Sequence, residues 1–347
     1  MGDDDERVDA AVLDVAVVVL AFAVAAWLAL SLTIVLGRIR YDRRQHEAGP
    51  TPLSARTAER LVKRVRRRPR TEWGRWRRVH ALQRLVRAHH PAAKRLVGLV
   101  LRDADERIAS AAIHTLGDIG DEWAIDVLLE ALRRGDGPRS RVASELEELA
   151  PAPGQRLVHL LVDWNPAVRF WGATLLRPYP ELGEGALIQL TWDSDPNVRA
   201  AAVETLGTRT GHAVGVALLA RLGDSEWFVR VHAARAAGHV LGAEAAPQVT
   251  RLLTDERWWV RTAAKDALRG MGADAVPSLL MVLAHDDRFA RNGAAEVLQD
   301  IGFVDFLVLD NPQSQLLERI YEAGGEKLRE AAAARSDRAS ERRVEAA

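Results

Sequence analysis

The chain has 347 residues, with 48 Lys and Arg against 48 Asp and Glu, and no Cys. The missing Cys removes disulfides, Cys-ligated zinc, iron–sulfur clusters and thiol nucleophiles, and zero net charge argues against a globally basic nucleic-acid binder. A hydrophobic fraction of 48% with three Tyr and six Phe describes an aliphatic helical protein, in which ten Trp are the exception.

Residues 1–10 form a short acidic N-terminus with Asp3, Asp4, Asp5, Glu6 and Asp9 against Arg7. Val15–Leu36 then runs without a charge. As a helix it would be about 33 Å long, enough to cross a hydrocarbon core of about 30 Å. A cleaved signal peptide would start basic, be shorter and end at small residues, whereas this stretch starts acidic and ends at Gly37-Arg38. A soluble helix is rarely apolar on every face. Residues 11–37 are therefore expected to be a transmembrane helix. Arg38, Arg40, Arg43 and Arg44 follow it, against Arg7 alone before it. The positive-inside rule then puts the N-terminus outside and the rest in the cytoplasm, on the inner (plasma) membrane. Arg38, Arg40, Arg43 and Arg44 are the expected contacts to lipid headgroups.

Residues 38–71 read as a basic juxtamembrane neck, and the basic character continues to Arg95. Nineteen Lys and Arg stand against four Asp and Glu between Arg38 and Arg95. The Ala48–Pro52 stretch reads as a linker. A helix is expected from about Leu53 to Arg68, stopped by Pro69. A second, Glu72–His89, carries Trp73, Trp76, Val79, Leu82, Leu85 and Val86 at helical spacing, which reads mostly as core. Three uses of the basic residues stay open: adhesion to anionic lipid, docking of an acidic protein and contact with nucleic acid. Tethering beside a bilayer favours lipid, at about 1 kcal/mol per basic residue near the surface.

From about residue 90 the chain repeats itself, which is the first thing to look for in a long helical sequence. The clearest units start at Asp163, Asp193, Asp224 and Asp255, and in each an Arg follows six residues on, at Arg169, Arg199, Arg230 and Arg261. Successive arginines are 30 or 31 residues apart. A fifth unit, 286–302, keeps Arg291 but shifts its acids. An earlier one, 103–120, has Ala109 in the Arg position, and 133–150 is a degenerate copy. Asp or Asn near each start, with Pro166 and Pro196 behind Asn165 and Asp195, is helix-capping chemistry. Val198, Ala201, Ala202, Val203 and Leu206 make one apolar face. Gly117, Gly207 and Gly238 are expected to end helices. Second helices follow at Ala124–Leu132, Gly215–Leu222, Ala246–Leu253 and Ala275–Leu283. Such hairpins bury their faces only by stacking.

The pattern D-x-x-x-x-V-R-x-x-A-A-x-x-L-G, best kept at 193–207 and 224–238, resembles HEAT repeats, in particular the short HEAT-like class named after phycobilisome lyases. The resemblance covers about residues 72–323, which implies an all-α fold, an α-solenoid of about seven or eight stacked hairpins following one transmembrane helix. It also implies ladders between neighbouring repeats, built from Asp163, Asp193, Asp224 and Asp255 with Arg169, Arg199, Arg230 and Arg261. The helices bearing them would line the concave surface. Leu316, Leu317, Ile320 and Tyr321 read as a capping helix, and 324–347 as a charged, Ala-rich tail.

Trp164, Trp192, Trp227, Phe228, Trp258 and Trp259 fall near helix starts or inter-helix turns. They either fill gaps left by Ala-rich helices or form a partner-binding row, since Trp and Arg are common interface anchors. His89-His90 has no third ligand placed by sequence, and Glu145, Glu147 and Glu148 read as a solvated face. No phosphate loop, nucleophile elbow or H-E-x-x-H motif is present, so neither a catalytic residue nor a cofactor or metal is expected. The expected function is a membrane-anchored scaffold or regulatory subunit that binds a protein partner. The alternatives are a lipid-sensing module working through the neck, or a HEAT-like enzyme of the DNA glycosylase or lyase type. Nucleic acid is disfavoured because residues 96–347 hold 28 Lys and Arg against 38 Asp and Glu.

Overall fold

A computed structural model describes residues 53–103, 105–311, 313–325 and 328–330. The expected transmembrane helix and the headgroup arginines Arg38, Arg40, Arg43 and Arg44 lie outside these residues. Among the described residues every regular element is helical, and no helix is long and apolar enough to cross a membrane. The chain divides into two compact units, one ending at Leu99 and the other starting at Val100.

In the first unit, α1 (Ala55–Arg66) starts at Ser54, whose hydroxyl accepts the N–H of Thr57, and α2 (Glu72–Arg87) starts at Thr71, which accepts from Gly74. α1 is strongly two-faced: Ala58, Leu61 and Val65 are buried against α2, while its arginines face solvent. Val79, Leu82, Leu85 and Val86 complete this small core. The guanidinium of Arg78 is buried in it, where Nε donates to the Val65 carbonyl at 2.7 Å and Nη2 to the Leu99 carbonyl at 3.0 Å. The first of these bonds satisfies a buried backbone acceptor. Trp73 departs from the expected core pattern, being 72% exposed in the first turn of α2. α3 (Ala93–Leu101) crosses the unit boundary.

The second unit alternates two series of helices. One series is α4 (Glu106–Ile119), α6 (Arg139–Glu148), α8 (Pro166–Leu175), α10 (Pro196–Leu206), α12 (Trp227–Leu241), α14 (Trp258–Met271), α16 (Arg288–Asp300) and α18 (Gln315–Gly324), interleaved with the other, α5 (Glu122–Arg134), α7 (Gly154–Leu157), α9 (Glu184–Leu190), α11 (His212–Arg221), α13 (Ala246–Arg251), α15 (Val276–Val282) and α17 (Phe303–Asp310). Short 3₁₀ turns extend α7 and α13. Each helix of the first series packs on the next of that series and, from α6 onward, on the helix or 3₁₀ turn of the second series that precedes it. That is a two-layer α-solenoid, in which neighbouring hairpins bury one another's faces.

Small residues set the spacing of the first series. Val198, Ala202, Val203 and Leu206 of α10 are fully buried, as are Val229, Ala233, Ala234 and Ala237 of α12. A Cβ on Gly207 would lie 3.0 Å from Cβ of Ala236, and one on Gly238 would lie 2.8 Å from Cβ of Ala267. Gly207 caps α10 as expected, but Gly117 and Gly238 lie inside α4 and α12 rather than ending them. They are glycine because a neighbouring helix occupies the space of a side chain. At Gly117 that occupant is the Glu145 side chain. Glu145 is therefore buried, not solvated, with Oε1 3.2 Å from Nδ1 of His114.

Candidate interaction surface

The turn leading into each helix of the first series has a fixed chemistry. Oδ1 of Asp193 accepts the N–H of Asp195 at 2.9 Å, and Asp195 caps α10 by accepting from Asn197. Asp163, Asp224 and Asp255 accept the N–H two residues on in the same way. The arginine six residues later returns to this turn. Nη1 of Arg199 donates to the carbonyls of Asp193 and Ser194, and Arg169, Arg230 and Arg261 repeat both bonds with their own turns.

The other edge of the guanidinium reaches the next repeat. Arg169 donates to both carboxylate oxygens of Asp193 at 2.7 and 2.8 Å. Arg199 does the same to Asp224 at 2.9 and 2.7 Å, and Arg230 to Asp255 at 2.8 and 2.9 Å. Two parallel bonds fix both distance and orientation, which a single lysine contact would not. Burial pushes the carboxyls of Asp193 and Asp224 up, but the facing guanidinium and the turn N–H more than offset it, so both sit below the usual carboxylate range. Hydrogen bonding to Asp224 raises Arg199 in turn.

The ladder fades at both ends. Asp163 faces Arg133 at only 3.9 Å. Beyond Asp255 the position is held by His285, whose Nδ1 accepts the N–H of Asp287 as the aspartates do in their turns. An imidazole cannot take two parallel guanidinium bonds, and Arg261 instead has its guanidinium carbon 5.3 Å from the ring centre of Phe289.

The aromatic residues lie along this edge, all within five residues of a ladder position. Trp164 follows Asp163 and is 88% exposed; Trp192 precedes Asp193 and Trp258 and Trp259 open α14, all three more than half exposed. Trp227 is the least exposed of the tryptophans in the row, at 37%, and Phe228 beside it is half-buried. Trp164, Trp192, Trp258 and Trp259 project into solvent instead of filling interior gaps, while Trp227 is mostly covered. Trp227 and Phe228 meet edge to face at 5.8 Å, and Trp258 and Trp259 at 4.7 Å, a favoured aromatic geometry. The Arg221 guanidinium lies 3.7 Å over the Trp192 ring while donating to Asp224. Phe289 is a further exposed member that the sequence reading missed. Its signal was its register, thirty residues after Trp259.

Arg169, Arg199 and Arg230 are committed to carboxylates, so the charge on this edge is largely neutralised within it. An edge of exposed indoles and self-paired ions suits a protein surface better than a phosphate backbone. Among the described residues no group of His, Asp and Glu is placed to hold a metal.

The class of protein is set by this architecture: an all-helical solenoid with inter-repeat Arg–Asp ladders. The HEAT-repeat family model matches residues 59–148 and 215–299, just over half of the chain, and the chain belongs to the HEAT-repeat family. The ladder pair Arg169–Asp193 falls in the stretch between the two matched segments. Among solved structures, a crystallised engineered protein is 17% identical over 77% of this chain and 87% of its own, with a TM-score of 0.40. Human deoxyhypusine hydroxylase in complex with glycerol is 18% identical over 72% and 96%, with a TM-score of 0.31. Kap95p, in a structure concerned with its binding to RanGDP, is 14% identical over 77% of this chain and 46% of its own, with a TM-score of 0.49. At such identities these are likenesses of fold. No curated protein matches the chain.

Proposed function

We propose that the protein is a membrane-anchored scaffold or regulatory subunit. Its HEAT solenoid binds a protein partner in the cytoplasm, at the inner face of the plasma membrane. The partner class includes membrane enzymes and transporters. The observation that carries the reading is the exposed aromatic edge: Trp164, Trp192, Trp227, Trp258 and Trp259 recur beside ladder positions in successive repeats. Exposed tryptophans recurring in one register are typical anchors of protein interfaces. The charge-free stretch Val15–Leu36 and the arginines behind it support the anchor and its orientation. The D-x-x-x-x-V-R spacing supports placing the repeats in the short class named after phycobilisome lyases.

The test is capture of partners by the full chain in detergent, wild type beside Trp227→Ala/Trp258→Ala. The double variant is expected to fold, with a modestly lowered melting midpoint because Trp227 is partly covered, and to lose a specific partner retained by wild type. Unfolding of the variant would make these residues core, and an unchanged partner list would remove the edge as the binding surface.

A further inference from the structure

The first unit carries a feature the scaffold reading leaves unused. Residues 53–99 hold 15 Lys and Arg against two Asp and Glu. Their distribution is uneven. The link between α1 and α2 gathers Arg66, Arg67, Arg68 and Arg70, and Arg77 follows one helical turn beyond Trp73; all five arginines are exposed. Trp73 stands among them at 72% exposure. Glu72 is the one acid at this end. The link is tight, since a Cβ on Gly74 would lie 2.6 Å from Cβ of Pro69. Arg78 ties α1 to α2 from inside.

The packing of α1 decides how such a tip can be used. A basic amphipathic helix normally meets a bilayer by laying its apolar face into it. Here that face, Ala58, Leu61 and Val65, is already buried against α2. What remains outside is cationic, with one indole. Arginines attract anionic headgroups, and Trp prefers the headgroup level of a bilayer.

We propose that the α1–α2 tip is a preformed site for anionic phospholipid headgroups, made by Arg66, Arg67, Arg68, Arg70 and Arg77 with Trp73 as a shallow wedge. The proposal rests on the membrane-anchored reading above. Only 16 residues, 37–52, separate Leu36, the end of the apolar stretch, from Leu53. In any conformation they reach at most about 60 Å, and α1 adds about 18 Å, so an anchored chain confines the tip to a thin layer beside the bilayer and raises its local concentration there. The apolar face of α1 stays closed on α2, so the contact is electrostatic, salt-sensitive and reversible.

The absence of Cys makes the test direct, because one introduced cysteine is the only thiol. Full-length Trp73→Cys, carrying an environment-sensitive fluorophore, is reconstituted into phosphatidylcholine vesicles with and without phosphatidylglycerol. The emission is expected to shift to the blue only with phosphatidylglycerol, and to return at high salt. Replacing Arg66, Arg67, Arg68 and Arg70 by Gln is expected to lower the docked-to-free ratio about fivefold per arginine. Emission indifferent to lipid charge overturns the proposal. So does a shift produced by added duplex DNA and not by phosphatidylglycerol, which would assign the tip to nucleic acid. Carbonate extraction separates the two readings. A chain that washes off while the lipid-dependent shift persists refutes the anchor and keeps the tip; a chain that stays without a shift refutes the tip alone.

Discussion

The Arg199–Asp224 rung offers the sharpest test of how the array is held together. Asp224 has a side chain only 2% exposed and receives four bonds: two from Arg199, one from Arg221 at 3.2 Å and one from the Glu226 N–H at 3.0 Å. Asp224→Ala leaves two guanidinium groups without their carboxylate, and losing one partner of a buried pair costs about 3–5 kcal/mol. Arg199→Ala removes two charge-assisted bonds but leaves Asp224 its Arg221 and backbone partners, so a smaller loss of about 2–3 kcal/mol is expected. If the two side chains act as one unit, the double variant is less damaged than the sum, by about 2 kcal/mol. Urea unfolding of the detergent-solubilised full chain, followed by circular dichroism, gives the global values. Hydrogen exchange in α10 and α12 gives the local ones, since repeat arrays need not unfold in one step. A coupling of 2 kcal/mol is about thirtyfold in exchange rate. Strict additivity of the two substitutions would refute the ladder as the element joining these repeats.

Three further outcomes are expected. His285→Asp restores the acceptor that Arg261 lacks and should stabilise the α14–α16 junction by about 1 kcal/mol, read as slower exchange in α14 and α16; faster exchange would contradict it. Gly238→Ala should destabilise by about 1–3 kcal/mol despite the better helix propensity of Ala, because its Cβ meets Ala267 at 2.8 Å. Adding Ala267→Gly should recover most of the loss in a melting experiment, and no recovery would show that the contact is not the cause. Acid should weaken the array through Asp193 and Asp224. Their folded pKa values lie below the usual 3.8, so the stability they contribute is complete above that pH and is lost as pH falls through the folded values. Asp224→Asn should flatten this acid limb, and an unchanged limb would remove the carboxylate from the account.

Much of the architecture was legible because a repeat repeats its errors little. The Asp-to-Arg spacing, the Asn165 and Asp195 caps and the apolar face of α10 are local signals, and each marks one turn of chain. What local signals missed was set by a neighbour. Gly117 and Gly238 look like helix ends in the sequence; the next helix of the series makes them interior contacts. Glu145 looks solvated beside Glu147 and Glu148 until α4 closes over it. Trp73 has core spacing, yet the core of the first unit is filled without it. Phe289 was overlooked because its unit had shifted its acids, although the register kept by Arg291 aligns it with Trp259. The exposure of the tryptophan row was undecidable from spacing, since core and edge use the same period.

The run of bidentate rungs from Arg169 to Asp255 stops where His285 stands in for an aspartate. Four repeats share a continuous chain of ion pairs, in which each arginine grips its own turn and the next. Beyond Asp255 that rung is replaced by more exposed pairs between α14 and α16, Lys265 and Arg269 with Glu296 and Arg269 with Asp300, which solvent screens more strongly. Such an interruption gives the array a direction of failure: tension or denaturant applied along it should peel the C-terminal hairpins first, while the clamped middle remains whole. A partner held across Trp227 and Trp258 would then sit on the stiffest stretch, next to a compliant end able to yield as the two surfaces adjust.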